Sequence, residues 1–392
     1  MTTILKAMLK LGLKSPPEDT PDVIITCFSP VSKTFPILFP VSGEKVSAIC
    51  TVALDGYVEV WSNDGKRKLG NIPLHQEQLI AADVFSRAYN NEEFLFIVSQ
   101  SRHGGLAINK YVTEDSSTSP PPFTVLTTYA PHIGFCTLQV HRDLIFFPYG
   151  YDKIGVIGIS HLKQSEEESS TLPPLLKTEY VKCMIMFLKL VSLTDGEEFL
   201  LYGTEEGTLK MSNVIRVVSD NGTEQVVLIP WQNNLNLNHK TTLGMPDRQQ
   251  SDQTSDELIS PLCSAFYPLV NKVVVGTNNA FMYPILLNHA TKVLEFGDKI
   301  AVPTKGTGAM DVHPNGRLLV TGGWDGVIRI YKTGSLTFIH QLRYHSEQIT
   351  SIVFFSPMAD DLSKRYTILA SSKDKQVTLW NPTEKINAAC QE

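Results

Sequence analysis

The sequence predicts an all-β chain folded as a seven-bladed β-propeller. Three observations point there: a β-hairpin signature occurs seven times, most of the repeats are close to fifty residues apart, and no helical apolar period of comparable length competes. In each repeat an apolar strand runs into a small or polar turn and leaves it as an alternating strand. The segments are 48–61 (AICTVALDGYVEVW), 94–111, 144–159, 199–214, 272–285, 317–331 and 367–380.

The turns are Asp55-Gly56, Gly104-Gly105, Asp152-Lys153, Glu206-Gly207, Asn278-Asn279, Asp325-Gly326 and Asp374-Lys375. Such residues accept the positive φ angles that a two-residue hairpin turn requires. The strand ends fall near 61, 111, 159, 214, 285, 331 and 380, an interval slightly above that of a four-stranded propeller repeat. Further strands precede the hairpins at 24–30, 262–268, 308–314 and 349–357, each stopped by a proline. Others follow at 225–231, 291–297 and 336–345. Four strands repeated seven times make the propeller, which is expected to occupy 1–392 as one domain. The polar segments 114–122, 164–171 and 233–258 read as disordered inserts in its loops.

After Trp380 no convincing strand remains, so the seventh blade lacks its outer strand. The N-terminal segment 4–13 (ILKAMLKLGL) precedes the first inner strand, taken as 24–30, and is expected to pair with the last blade and close the ring. An open ring would leave an unpaired sheet edge. The same segment carries lysines and no acid, so a transit peptide or a short helix are the competing readings.

Composition excludes several function classes. The net charge is −6, which argues against holding nucleic acid by charge. No apolar run reaches the eighteen or so residues of a membrane helix. Cysteines 27, 50, 136, 183, 263 and 390 stand far apart, without a CxxC pair, so they read as buried apolar side chains in a reducing compartment. Asn221-Gly222-Thr223 then matches a glycosylation acceptor by coincidence.

The seventh repeat, YHSEQITSIVFFSP followed by TILASSKDKQVTLW, closely resembles a WD repeat. The resemblance implies a structural hydrogen-bond set of His345, Ser371, Ser372, Asp374 and Trp380. A buried indole N–H and an imidazole must find partners, and a turn aspartate can anchor them. The set looks like a catalytic triad on paper, but neither a nucleophile elbow nor an oxyanion signature accompanies it. Over 306–381, GWDGVIRIY, YHSEQITSIVFF and ASSKDKQVTLW together resemble the end of the ASTRA-associated protein 1 family, which is similar to G-protein β subunits. That resemblance implies a noncatalytic scaffold of the nuclear ASTRA assembly, linked to chromatin regulation and to maturation of phosphatidylinositol-3-kinase-related kinases. Blade six departs from the pattern. Tyr331 takes the Trp position, and His313 lies in a proline turn.

Partner candidates follow from the turns. Trp324 lies one residue before Asp325, ahead of the alternating positions that begin at Val327, and reads as a docking anchor or as packing on a neighbouring blade. Tyr344, Lys373 and Tyr151 are candidates for the same face. No catalytic residue, cofactor or metal site is expected, because the histidines are dispersed and 305–311 lacks the Lys-Ser/Thr of a phosphate loop. His132 and His141 are expected to mark the two ends of one strand. The expected partners are protein subunits, with no direct nucleic acid, membrane or small-molecule substrate. Two alternatives remain. One is a peptide or histone-tail reader, which would need Asp55, Asp152, Asp325 and Asp374 to converge; the other is a G-protein β-like signalling adaptor.

Overall fold

The computed structural model describes residues 21–381 apart from 28, 30, 42–43, 75–78, 90–91, 103–104, 112–123, 129–133, 135, 159–174, 194–195, 219–223, 239–257, 268–270 and 356–366. The expected inserts 114–122 and 164–171, the glycosylation triplet and the segment 4–13 lie outside the described residues.

Seven antiparallel sheets of four or five strands make the ring, each ordered from an inner to an outer strand. Blade one is Val31–Val41, Glu44–Ala53, Tyr57–Ser62 and Lys68–Pro73. Blade two is Leu79–Tyr89, Glu92–Ser101, Gly105–Tyr111 and Thr124–Thr128. Blade three is Gln139–His141, Leu144–Tyr149, Lys153–Gly158 and Lys177–Tyr180. Blade four is Ile185–Ser192, Glu198–Thr204, Thr208–Val218 and Glu224–Pro230. Blade five is Pro261–Tyr267, Lys272–Thr277, Phe281–Asn288 and Val293–Phe296. Blade six is Thr307–Val312, Leu318–Gly323, Val327–Lys332 and Phe338–Arg343. Blade seven takes Ile349–Phe355, Thr367–Ser372 and Gln376–Trp380 from the end of the chain.

The outer strand of blade seven is Val23–Thr26, paired antiparallel with Gln376–Trp380 from Val23↔Leu379 to Thr26↔Gln376. An N-terminal strand does close the ring, but the closing strand is this one and not 4–13. The segment 24–30 is therefore not the inner strand of blade one. That place belongs to Val31–Val41, which contains Pro36 and Pro40. As the innermost strand it is a sheet edge, where proline is tolerated.

Each gap between neighbouring blades is filled by its own apolar cluster. Ile25, Cys27 and Leu379 of blade seven meet Ile49 of blade one. Val58 and Val60 of blade one meet Leu79 and Ile97 of blade two, and the pattern continues around the circle. Burying a Val, Leu or Ile contributes about 1.5–3 kcal/mol, so the interfaces are the core. Period-two alternation explains how one strand serves two gaps: successive side chains point to opposite blade neighbours. Thus Leu318 and Val320 face blade seven, while Leu319 and Tyr331 face blade five.

The third expected insert is partly ordered. Leu235–Asn236 adds a short strand beside Thr208–Leu209 of blade four. Leu235 and Leu237 are buried with Trp231, whose Nε1 donates to Asn213 Oδ1 at 2.8 Å. The polar composition of 233–238 hid two leucines that pack; the remainder of that segment up to 257 lies outside the described residues.

Candidate interaction face

The turns between second and third strands share one face of the ring with the connectors that enter each blade. Backbone bonds tie them together: Lys373 N–H donates to Gln348 O at 3.1 Å, Trp324 N–H to Gly306 O at 2.9 Å, and Asn278 N–H to Ser260 O at 3.1 Å. Three turn aspartates are tethered to their connectors by side chains. Asp55 accepts from Ser29 Oγ at 2.7 Å, Asp325 from Thr304 Oγ1 at 2.9 Å, and Asp374 pairs with His345 Nδ1 at 2.9 Å. A Ser, Thr or His in each of the three connectors, at differing distances from the inner strand, solves the same problem of holding the turn.

Blade seven carries the fullest version. Trp380 Nε1 donates to Thr378 Oγ1 at 2.8 Å, and Thr378 Oγ1 lies 2.9 Å from His345 Nε2. Burial lowers the pKa of His345, with Asp374 opposing part of the shift. A neutral imidazole protonated on Nδ1 fits every contact: Nδ1–H donates to Asp374, and Nε2 accepts from Thr378. The hydroxyl in this chain is thus Thr378, not a serine. Ser371 Oγ instead lies 3.1 Å from Thr350 Oγ1, and Ser372 Oγ donates to Glu347 O at 2.9 Å. Both serines are fully buried and neither reaches the indole.

Blade six replaces the histidine with an arginine. Arg329 stands at the position of Thr378, four residues after the turn aspartate, and its guanidinium forks onto Asp325, with Nη1 at 3.1 Å from Oδ1. Burial alone would raise the Asp325 carboxyl, but hydrogen bonds from Arg329 and Thr304 outweigh it and hold the group below the usual carboxylate range. The sequence carries this pair as Asp-x-x-x-Arg across a turn.

Trp324 is 41% exposed and yet packed. Its indole lies face-on over Gly306, where a Cβ would stand 2.0 Å from Cδ2. Only glycine permits that approach, and Gly306 also has φ +84°. The turn continues into blade seven: a Cβ on Gly326 would stand 2.4 Å from His345 O. Tyr344, exposed, sits edge-on to His345 with ring centroids 5.6 Å apart. The fold therefore brings Trp324, Asp325, Tyr344 and Lys373 together at the junction of blades six and seven. Tyr151 does not join them. It lies in the turn of blade three and donates to Glu205 of blade four at 2.8 Å.

A second polar cluster lies on the opposite face, between blades three and four. His141, which ends the strand Gln139–His141, places Nε2 3.0 Å from Ser192 Oγ and 3.2 Å from Glu198 Oε1, with Arg142 on the same carboxylate at 2.7 Å. Serine and glutamate meet the same ring nitrogen. A nucleophilic relay needs them on opposite nitrogens, so this is an inter-blade tether. His132 lies outside the described residues. Burial pushes the thiols of Cys27 and Cys263 up to about 12 and also raises Cys50, Cys136 and Cys183. Such cysteines are apolar filling rather than nucleophiles.

Comparison with known proteins follows this geometry. A family model described as "WD domain, G-beta repeat" matches residues 303–332, the connector, hairpin and third strand of blade six. The chain carries a WD repeat. Its seven-bladed ring is a WD-repeat propeller, a fold typically used as a noncatalytic protein-interaction scaffold. It is also similar to ASTRA-associated protein 1 of Schizosaccharomyces pombe (strain 972 / ATCC 24843), with 33% identity over 69 residues. That stretch is 18% of this chain and 17% of that protein.

Proposed function

We propose that this WD-repeat propeller is a noncatalytic scaffold subunit of an ASTRA-type assembly in the nucleus, serving chromatin regulation and the maturation of phosphatidylinositol-3-kinase-related kinases. It docks its protein partner at the junction of blades six and seven. The observation that carries the docking face is Trp324, a large aromatic held rigid on Gly306 and left 41% exposed among polar groups. Anchors of that kind dominate protein interfaces, because little side-chain entropy is lost when they bind. The partial likeness to ASTRA-associated protein 1 supports the choice of assembly. The histone-tail reading needs the turn aspartates to converge, whereas Asp55, Asp325 and Asp374 are each held by a partner of their own, Ser29, Arg329 and His345, in three different blades.

Affinity capture of the tagged chain from nuclear extract tests the proposal. Wild type recovers kinase-maturation and chromatin subunits, whereas Trp324→Ala loses them at an unchanged melting temperature. Recovery of the same subunits by Trp324→Ala would remove this face from the account, and their absence with wild type would remove the assembly.

A further inference from the structure

The third strand of blade four, Thr208–Val218, has eleven residues, where the third strands of blades one and six have six. Its alternate side chains Leu209 and Met211 are buried with Trp231 against blade five. Blade five ends at that level: Gln232 N–H donates to Lys292 O, in the turn between Phe281–Asn288 and Val293–Phe296, at 2.9 Å. The hairpin runs on past it. The same side continues as Ile215 and Val217 on one strand and Val227 and Ile229 on the other, with Ile215 directly opposite Val227. These four are 37–48% exposed. Asn213 and Gln225 share the side, so it carries no charge. The other side is covered, because Val214, Val226 and Leu228 cluster with Ile154 and Leu176 of blade three. A core stripe thus outruns the blade that covers its upper half.

The edge and the size of this wall restrict its occupant. At the outer edge Val226 N–H donates to Leu176 O at 3.4 Å, so an occupant lies on the wall rather than adding a strand to it. Five residues of each strand make the wall about 17 Å long, the length of a helix of about eleven residues. A segment of that size is left unused by the ring. In ILKAMLKLGLK (4–14), Lys6, Lys10 and Lys14 recur every four residues, which puts Ile4, Leu5, Met8 and Leu9 on the other side of a helix. The blade edge it could have joined as a strand belongs to Val23–Thr26.

The segment enters the ring on the face from which the hairpin projects, since Val23 lies opposite Leu379, at the end of the strand away from the Asp374 turn. Blades seven and four stand almost across the ring from each other. Three strand spacings in each blade, with the channel between them, put their outer strands on the order of 40 Å apart. Residues 14–21 span at most about 28 Å, so the segment reaches the wall of a neighbouring molecule and not its own. One helix on one hairpin falls short of the ~1,200–2,000 Å² that a stable interface buries, and a two-fold axis supplies the contact a second time.

We infer that residues 4–14 of one molecule lie as an amphipathic helix on the bare side of the blade-four hairpin of a second copy, and reciprocally, so that the chain forms a two-fold dimer. Ile4, Leu5, Met8 and Leu9 cover Ile215, Val217, Val227 and Ile229, and the three lysines face water. The junction of blades six and seven, on the opposite face, stays open to its own partner.

Sedimentation velocity of the purified full chain tests this. Wild type is expected to be a dimer at tens of micromolar and to dissociate on dilution. Val227→Asp on the wall and Leu9→Asp on the helix should each weaken the dimer about tenfold or more, with the thermal melt unchanged. Leu286→Asp, at an exposed position of blade five outside the wall, should leave it intact. An excess of synthetic peptide 1–14 should dissociate the wild-type dimer, and the same peptide carrying Leu9→Asp should not. A wild type that is monomeric at every concentration would overturn the inference, as would a dimer that Val227→Asp leaves intact. Loss of the dimer in Val227→Asp but not in Leu9→Asp would also overturn it, and would mean that two hairpins pack on each other. No cell extract enters this assay, so its failure leaves Trp324-dependent capture standing.

Discussion

Thr378 is the joint on which the polar spine of blade seven turns, and replacing it with valine is the sharpest test of that spine. Valine matches threonine in shape, so Thr378→Val removes one hydroxyl and little else. Two buried groups then lose their partners: the Trp380 indole N–H, bonded at 2.8 Å, and His345 Nε2, at 2.9 Å. A buried polar group left unsatisfied costs about 1–3 kcal/mol, so the variant should lose roughly 2–6 kcal/mol in total. Thr378→Ser keeps the hydroxyl and loses one methyl, about 1 kcal/mol. Urea denaturation of the two variants beside wild type, followed by tryptophan fluorescence, separates them. If Thr378→Val unfolds within about 0.5 kcal/mol of wild type, or no earlier than Thr378→Ser, the relay is not as described.

Other consequences follow from the same contacts. His345 and His313 are both held below their ordinary value by burial. The unfolded chain therefore takes up protons first as pH falls through about 6.5. Stability is full above that pH and declines below it, and His345→Gln should flatten the slope in a pH series of melts. Gly306→Ala drives a methyl into the Trp324 ring, so it should displace the indole and shift its fluorescence; an unchanged spectrum would count against the close approach. Ile25→Lys, at a position 2% exposed in the closing strand, places an unpaired charge in the gap between blades seven and one. It should cost about 3–5 kcal/mol or prevent soluble expression, whereas Ile24→Lys, on the 44% exposed neighbour, should be nearly neutral.

The blades were legible in the sequence because hairpins announce themselves locally: Asp325-Gly326 between apolar strands needs nothing from the rest of the chain. Closure is legible as a need for a strand, but the sequence does not say which segment supplies it. Ile24 and Ile25 look like the start of blade one, and Pro36 and Pro40 disguise the true inner strand, since proline argues against a strand unless the edge is known. The proposed docking face is half legible in the sequence. Trp324 stands out in the sequence as an aromatic without a core position, whereas the positions of Tyr344 and Lys373 relative to it depend on how the connectors fold back on the turns. Thr378 is legible only through side-chain alternation along Gln376–Trp380, which puts 378 and 380 on one face. The role of Gly306 is invisible in the sequence, because it depends on Trp324, eighteen residues later in the chain, coming back over it.

Amide hydrogen exchange across the closing strand tests the ring most directly. In a circle sealed by Val23–Thr26, those amides exchange as slowly as the ones of Gln376–Trp380, and Ile25→Lys releases both together. Rapid exchange at 23–26 beside a protected 376–380 would mean that the seventh blade stands open and that this ring is not the molecule in solution.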